Sequence, residues 1–204
     1  MLHTDPRHAE IRFAARRGII DRCCREIQFP GAVNFLESSN EQIIIGLLNQ
    51  NIEIGVVHSV PDSSELIVKP LFKEEFKIVI PKQLLKVKRN YGASLFADLK
   101  KIPCIAYKKD DEILRQLCLA NSIDAKDLKT SRITSSYSSI ADMVQAKLGW
   151  AALPAYLEID PVKNWIIPIP QDLLKLREFS IAYRREFKDV RWFKDLVKEV
   201  MDCF

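Results

Sequence analysis

The stretch Gln42-Ile43-Ile44-Ile45-Gly46-Leu47-Leu48-Asn49-Gln50-Asn51-Ile52-Glu53-Ile54-Gly55-Val56-Val57-His58 reads as a helix, a short polar turn and a buried strand. Ile43, Ile44, Leu47 and Leu48 fall on one helical face. Ile52 to Val57 is apolar nearly throughout, as a strand covered by helices on both faces must be. A second stretch, Ser138-Ser139-Ile140-Ala141-Asp142-Met143-Val144-Gln145-Ala146-Lys147-Leu148-Gly149-Trp150-Ala151-Ala152-Leu153-Pro154, has the same grammar: a Ser-capped helix, a turn, a strand and a stopping Pro. Each strand ends beside polar residues, which is where α/β folds bind small molecules.

Outward from the first stretch, residues 10–15 predict a strand, residues 18–26 a helix, Phe29-Pro30-Gly31 a turn and residues 32–37 a second strand. Ser38, Ser39 or Asn40 caps the next helix, which carries Glu41 and Gln42 in its first turn. This βαβαβ opening predicts parallel pairing with right-handed crossovers. Residues 65–72 and 75–80 are extended and end at Pro81, and residues 103–107 begin a second α/β series. There Asp110 or Asp111 caps a helix to Ala120, a strand covers 131–134, Ser138 or Ser139 caps a helix to Lys147, and a strand covers 150–153. Residues 165–169 and 178–183 are extended. A closing amphipathic helix over 190–201 carries Val190, Phe193, Val197 and Val200 on one face. The expected fold class is α/β with two subdomains, the second inserted into the first, joined by two crossover strands with an inter-lobe cleft. Residues 1–78 and 163–204 form the first subdomain and residues 79–162 the second.

With 204 residues, 48% hydrophobic and 28% charged, the composition is that of a soluble globular protein. The net charge of +4 comes from scattered residues. Only Lys82-Gln83-Leu84-Leu85-Lys86-Val87-Lys88-Arg89 clusters, and it reads as a solvated helix face, since nucleic-acid binding needs a wide basic footprint. No helix-turn-helix or zinc-finger spacing is present, so this chain alone is not expected to read DNA. The five cysteines, Cys23, Cys24, Cys104, Cys118 and Cys203, lack metal-like spacing, and no signal peptide precedes them. Reduced thiols in a cytoplasm follow. No apolar run approaches the ~20 residues of a membrane span.

The two quoted stretches together resemble the effector-binding domain of LysR-type transcriptional regulators, over residues 10 to 200. In that family a helix, a "gxlD"-like turn and strand, and later a "lVaaGlGiallP" segment, occupy these places. Glu53 stands where the family's turn usually has Asp and keeps the charge. Ala146-Lys147-Leu148-Gly149 has Lys where Gly is common, so the helix end is expected to lack its left-handed cap. The resemblance implies a type II periplasmic-binding-protein-like architecture, a small-molecule effector between the lobes, and side-by-side dimers that assemble into tetramers. It also implies DNA binding only through an N-terminal winged helix-turn-helix, absent from this chain, with no membrane contact and no cofactor.

Such a cleft gathers strand ends and helix N-termini, whose unpaired N–H groups favour carboxylate, phosphate or sulfate. The ligand-binding candidates after the first three strands are Arg16, Arg17 and Gly18, then Ser38 and Ser39, then His58 and Ser59. In the second lobe they are Tyr107, Lys108 and Lys109, with Ser135, Ser136 and Tyr137 preceding a helix. Each has a structural reading too: Ser38 and Ser39 as N-caps, Arg16 and Arg17 as solvated side chains, His58 as a loop residue, Thr134 to Ser139 as a polar loop. In the functional reading a guanidinium grips a carboxylate bidentately and His58 donates to an anion.

Catalysis finds little support. No nucleophile elbow occurs, His3, His8 and His58 lack metal-ligand spacing, and Asp110-Asp111 reads as a helix start. No catalytic or metal-ligating residue is assigned. Peroxide sensing, which the resemblance also suggests through Cys118, would place the reactive partner near Lys109, which is not a Cys; Cys104 lies in an apolar strand. The alternatives to a regulatory domain are a stand-alone solute-binding protein of a transporter and an enzyme on the same bilobal fold.

Overall fold

The computed structural model describes residues 5–204, so His3 lies outside the described residues. In chain order the first elements are β1 (Glu10–Ala15), α1 (Arg17–Glu26), β2 (Ala32–Glu37), α2 (Asn40–Leu48), β3 (Ile54–Val57), β4 (Leu66–Lys73) and β5 (Phe76–Pro81). Then come α3 (Ala93–Leu99), β6 (Cys104–Tyr107), α4 (Glu112–Ala120), β7 (Thr130–Thr134), α5 (Tyr137–Gln145) and β8 (Ala151–Pro154). Last are β9 (Asn164–Pro168), β10 (Glu178–Arg184) and α6 (Arg191–Asp202). The chain divides into two units. The first ends at Lys73 and resumes with Arg177–Phe204; the second is Glu74–Leu176.

The first unit holds a five-stranded sheet in the order β2-β1-β3-β10-β4. β1 runs parallel to β2 and to β3, as the βαβαβ reading requires, and β10 runs antiparallel to β3 and β4. The C-terminal ends of β1, β2 and β3 and the N-terminal end of β10 therefore share one sheet edge. Ile11, Phe13, Ile43, Leu47, Ile54, Phe179 and Phe193 are buried around this sheet. Burying each such side chain contributes about 1.5–3 kcal/mol. Gly55 lets α2 lie close on β3: a Cβ there would come 2.3 Å from the Ile43 Cγ2.

The second unit contains the antiparallel sheet β8-β5-β9 and the parallel pair β6-β7. A parallel bridge between Cys104 and Trp150 connects them, and the Trp150 N–H donates to Pro103 at 2.9 Å. The expected boundary at 78/79 cuts through β5, and that at 162/163 falls just ahead of β9. Backbone pairing instead keeps β5, β8 and β9 together, which puts the unit limits at Glu74 and Leu176. The basic run 82–89 is not a helix but a turn and irregular backbone. Lys82 N–H donates to Lys163 at 3.0 Å and its ammonium lies 4.4 Å from the Trp165 ring centre. α3 was not anticipated from the sequence. It is short, and its N-cap, Gly92, supplies no side-chain acceptor, so only burial of Leu95, Phe96 and Leu99 marks it.

The two stretches that identify the fold end their helices identically. After α2, Gln50 has φ 63°, with Asn51 N–H donating to Gly46 at 2.8 Å and Gln50 N–H to Leu47 at 3.3 Å. After α5, Lys147 has φ 65°, with Leu148 N–H donating to Met143 at 3.0 Å and Lys147 N–H to Val144 at 2.8 Å. Both are Schellman ends. α4 ends the same way, with Ser122 at φ 54°. The expectation that Lys147 removes the left-handed cap is thus corrected: Lys occupies that conformation itself. A non-glycine residue there costs about 1–2 kcal/mol and glycine loses about 0.5–1 kcal/mol of that advantage to chain entropy. The triple substitution Gln50→Gly, Ser122→Gly, Lys147→Gly is therefore expected to raise the melting temperature; a fall in a thermal melt would contradict this account of the helix ends.

The caps of α2 and α4 fall among the residues the sequence offers for them, and that of α5 does not. Ser39 caps α2 in a capping box with Gln42, and Asp111 caps α4. α5 starts earlier than predicted, at Tyr137, because the Ser136 hydroxyl accepts from Ser139 N–H at 3.2 Å. Cys23, Cys104, Cys118 and Cys203 are buried, with only Cys24 exposed. Among the described residues no helix is long and apolar enough to cross a membrane.

Candidate functional site

The C-terminal ends of the parallel strands in the first unit present most of the residues singled out in the sequence. Arg16 follows β1 as the N-cap of α1, half-buried, its guanidinium 5.3 Å from the centre of the Phe179 ring. Gly18 lies in the first turn of α1. Arg17 is directed elsewhere: it is exposed and pairs with Asp21 at 2.9 Å and Glu37 at 3.9 Å. Ser38 is half-buried beside β1, its N–H donating to Ala15 at 3.1 Å, and Ser39 serves as the cap already described.

After β3 the half-buried His58 sets its ring edge-on to Phe179, centroids 5.7 Å apart and planes at 82°. Asn40 fixes this turn: its Oδ1 accepts from His58 N–H at 2.9 Å, and its Nδ2 donates to the Ser59 carbonyl at 2.9 Å. Phe179, itself 1% exposed, stacks on Phe72 at 5.0 Å. Arg177 precedes β10 at the same edge and acts electrostatically on His58. The imidazole pKa is lowered, first by burial and then by the Arg16 and Arg177 charges; Glu41 opposes them. The arrangement brings two guanidiniums and an imidazole to one sheet edge around an aromatic floor.

Asn40, Arg177 and Phe179 were missed as site residues. Asn40 appeared only as a cap candidate. Arg177 and Phe179 reach this edge because β10 runs antiparallel to β3, a pairing of distant residues with no local signal.

The corresponding ends in the second unit belong to β6 and β7, paired up to Tyr107 and Thr134. Tyr107 and Tyr137 stack face to face at 4.1 Å with 11° between planes, and Phe76 meets Tyr137 edge-on at 6.0 Å. Lys108 has φ 66°, its N–H donates to Thr134 at 3.0 Å, and its ammonium lies 5.4 Å from the Tyr107 ring centre. Lys109 and Ser135 are exposed, and Ser136 caps α5. Asp111 holds this turn together, accepting from Tyr107 N–H at 2.6 Å and Leu114 N–H at 3.0 Å. Burial raises its pKa against those bonds. Glu74, 1% exposed, accepts from the Tyr156 hydroxyl at 3.2 Å. Burial and the Glu74 carboxylate push the Tyr137 phenol well above its ordinary range.

Among the described residues no group of three or more His, Cys, Asp or Glu side chains is placed to hold a metal ion. Burial raises the thiol pKa of both Cys104 and Cys118, which keeps them as poorly nucleophilic thiols.

The sequence model of the LysR substrate binding domain matches residues 28–202. Among curated proteins none matches the sequence. Among solved structures, the reduced form of the OxyR regulatory domain from Pseudomonas aeruginosa superposes with a TM-score of 0.70 at 17% identity, over 98% of this chain and 100% of that one. The regulatory domain of the LysR family regulator MetR from N. meningitidis gives 0.60 at 16% identity, over 95% and 93%. CbnR, a LysR family transcriptional regulator, gives 0.63 at 13% identity, over 94% of this chain and 68% of its own. These likenesses carry the fold, the type II periplasmic-binding-like α/β architecture, and the sequence match over most of the chain carries the family. The chain belongs to the LysR substrate binding domain family and is the ligand-sensing regulatory domain of a LysR-type transcriptional regulator.

Proposed function

We propose that the domain senses a small anionic metabolite and that the sheet edge of the first unit is its anchor. The supporting observation is the convergence of Arg16, Arg177 and His58 around Phe179, beside the N-terminus of α2. Guanidinium groups grip carboxylate or phosphate in two-point contacts, and the helix end adds partial positive charge. Ser38, Ser39 and Ser59 supply short polar groups at the same edge. Arg17 is left out of the anchor, since its charge is matched by Asp21 and Glu37. In the second unit Tyr107, Lys108, Ser136 and Tyr137 form a separate contact surface of rings and polar groups. The domain's work in this reading is binding, with no chemical step on the metabolite.

CbnR has been solved in full length with its target DNA. By analogy, the effector would bias the conformational equilibrium of a cytoplasmic dimer or tetramer that reaches DNA through an N-terminal helix-turn-helix. The anchor is tested by a thermal-shift panel of mono- and dicarboxylates, phosphate and sulfate. A ligand at one hundred times its dissociation constant stabilises by roughly 2.7 kcal/mol. Arg16→Gln is expected to abolish that shift. An unchanged shift in Arg16→Gln, or a panel in which no anion stabilises the domain, would remove the anchor.

A further inference from the structure

We propose that His58 takes up a proton when the anionic effector binds, so that the domain holds its effector more tightly as the pH falls. This rests on the anionic reading of the first unit's sheet edge. Asn40 holds the His58 backbone N–H at 2.9 Å, and the imidazole meets the Phe179 ring at 82° with centroids 5.7 Å apart, Phe179 itself stacking on Phe72.

The charged groups acting on the imidazole come from three directions. Arg16 lies at the β1–α1 junction over the same Phe179 ring, Arg177 stands ahead of β10, and Glu41 sits in the first turn of α2. Asn40 bonds its main chain and Phe179 meets its ring. Half-burial first, and then the Arg16 and Arg177 charges, disfavour the imidazolium in the free domain, and Glu41 opposes them. An anion gripped by Arg16 and Arg177 offsets their charge at the ring. A carboxylate, phosphate or sulfate oxygen at the edge would then favour the charged ring and accept its N–H. Binding and protonation are reciprocal: whatever factor the anion adds to the proton affinity of His58, the proton adds to the affinity for the anion. Each unit by which the anion raises the His58 pKa corresponds to about tenfold tighter binding below the free pKa than above the bound one.

Sulfate is the appropriate probe, because its own charge is constant across the range in which histidine titrates. The His58 ring resonances, assigned by their loss in His58→Gln, are titrated by NMR with and without sulfate. The free pKa is expected to lie below the ordinary ~6.5 and to rise when sulfate is present. Sulfate affinity is expected to be several-fold higher at acid than at alkaline pH, and this dependence should flatten in His58→Gln. If sulfate shifts the amides around Phe179 in wild type and not in Arg16→Gln, yet leaves the His58 pKa unmoved, the proton coupling is wrong and the anchor stands. If sulfate shifts none of these amides, the anchor fails and the coupling with it.

Discussion

Replacement of Glu53 by Ala is expected to destabilise the first unit by about 3 kcal/mol, the lower end for removing one partner of a buried ion pair. Glu53 is 6% exposed at the start of β3. Its Oε2 accepts from both the backbone N–H of Arg12 at 2.7 Å and the Arg12 Nε at 3.0 Å, and its Oε1 meets the Arg12 Nη2. This one carboxylate joins β1 to the α2–β3 turn and holds the Arg12 pKa above its usual value. Arg12 is one-third exposed, so water takes over part of its lost pairing, which sets the lower figure. Arg184 adds to the loss. It is 13% exposed, its Nη2 lies 2.7 Å from Glu186 and 4.0 Å from Glu53, and its Nε and Nη1 are buried without a hydrogen-bond partner among the described residues. Without Glu53 that guanidinium loses half of its nearby negative charge. Native-state hydrogen exchange of the Arg12 amide is the direct measurement. Arg184→Met in the Glu53→Ala background should recover part of the loss. A loss under 1 kcal/mol, or no coupling between the two positions, would show that the carboxylate does not brace the strand.

Glu53 also marks how far local sequence reaches. The helix–turn–strand grammar was legible because what makes it is short-range: the Ser39 cap, the apolar face of α2 and the apolar run into β3. The left-handed helix ends at Gln50 and Lys147 were not, because neither is a glycine. That Glu53 keeps the charge of the family's usual Asp was legible from the resemblance. Its partner was not, because Arg12 lies 41 residues away and meets it only through the β1–β3 register. The same limit explains the candidate site. Arg16, Ser38, Ser39 and His58 each follow a strand readable from its own residues. Arg177 and Phe179 depend on β10 inserting antiparallel between β3 and β4 from the far end of the chain. Arg17 was placed by its position after β1 alone, and its neighbour Asp21, one helical turn on, competes for it. The limits of the second unit were displaced for a related reason: β9 joins β5 by a pairing that no short window contains.

Replacement of Trp150 by Ala is expected to cost the second unit about 3–5 kcal/mol, the range for emptying a fully buried aromatic position. Trp150 is 0% exposed and packs in the cluster that contains Phe76, Ile78, Phe96, Cys104 and Leu117. Its main chain makes the connection between the two sheets. The N–H donates to Pro103 and the C=O accepts from Ile105, both at 2.9 Å. The indole N–H donates to the Leu99 carbonyl at the end of α3, at 3.2 Å. Gly149 permits this approach: a Cβ there would fall 2.5 Å from the Pro103 carbonyl oxygen. The side chain thus fills the core at the one place where β6 and β8 are bridged, so a cavity there loosens both ladders together. Trp150→Phe separates the contributions. It retains most of the apolar volume and loses the indole bond, for an expected cost of about 1–3 kcal/mol. Leu99 keeps a second donor, the Ile102 N–H at 3.2 Å, which places the Phe variant toward the low end. Hydrogen exchange should show the lost protection in β5, β6 and β8, with the β1–β3 amides unchanged. Equal losses for the Ala and Phe variants would mean that the indole bond, rather than the filled volume, holds the two ladders together.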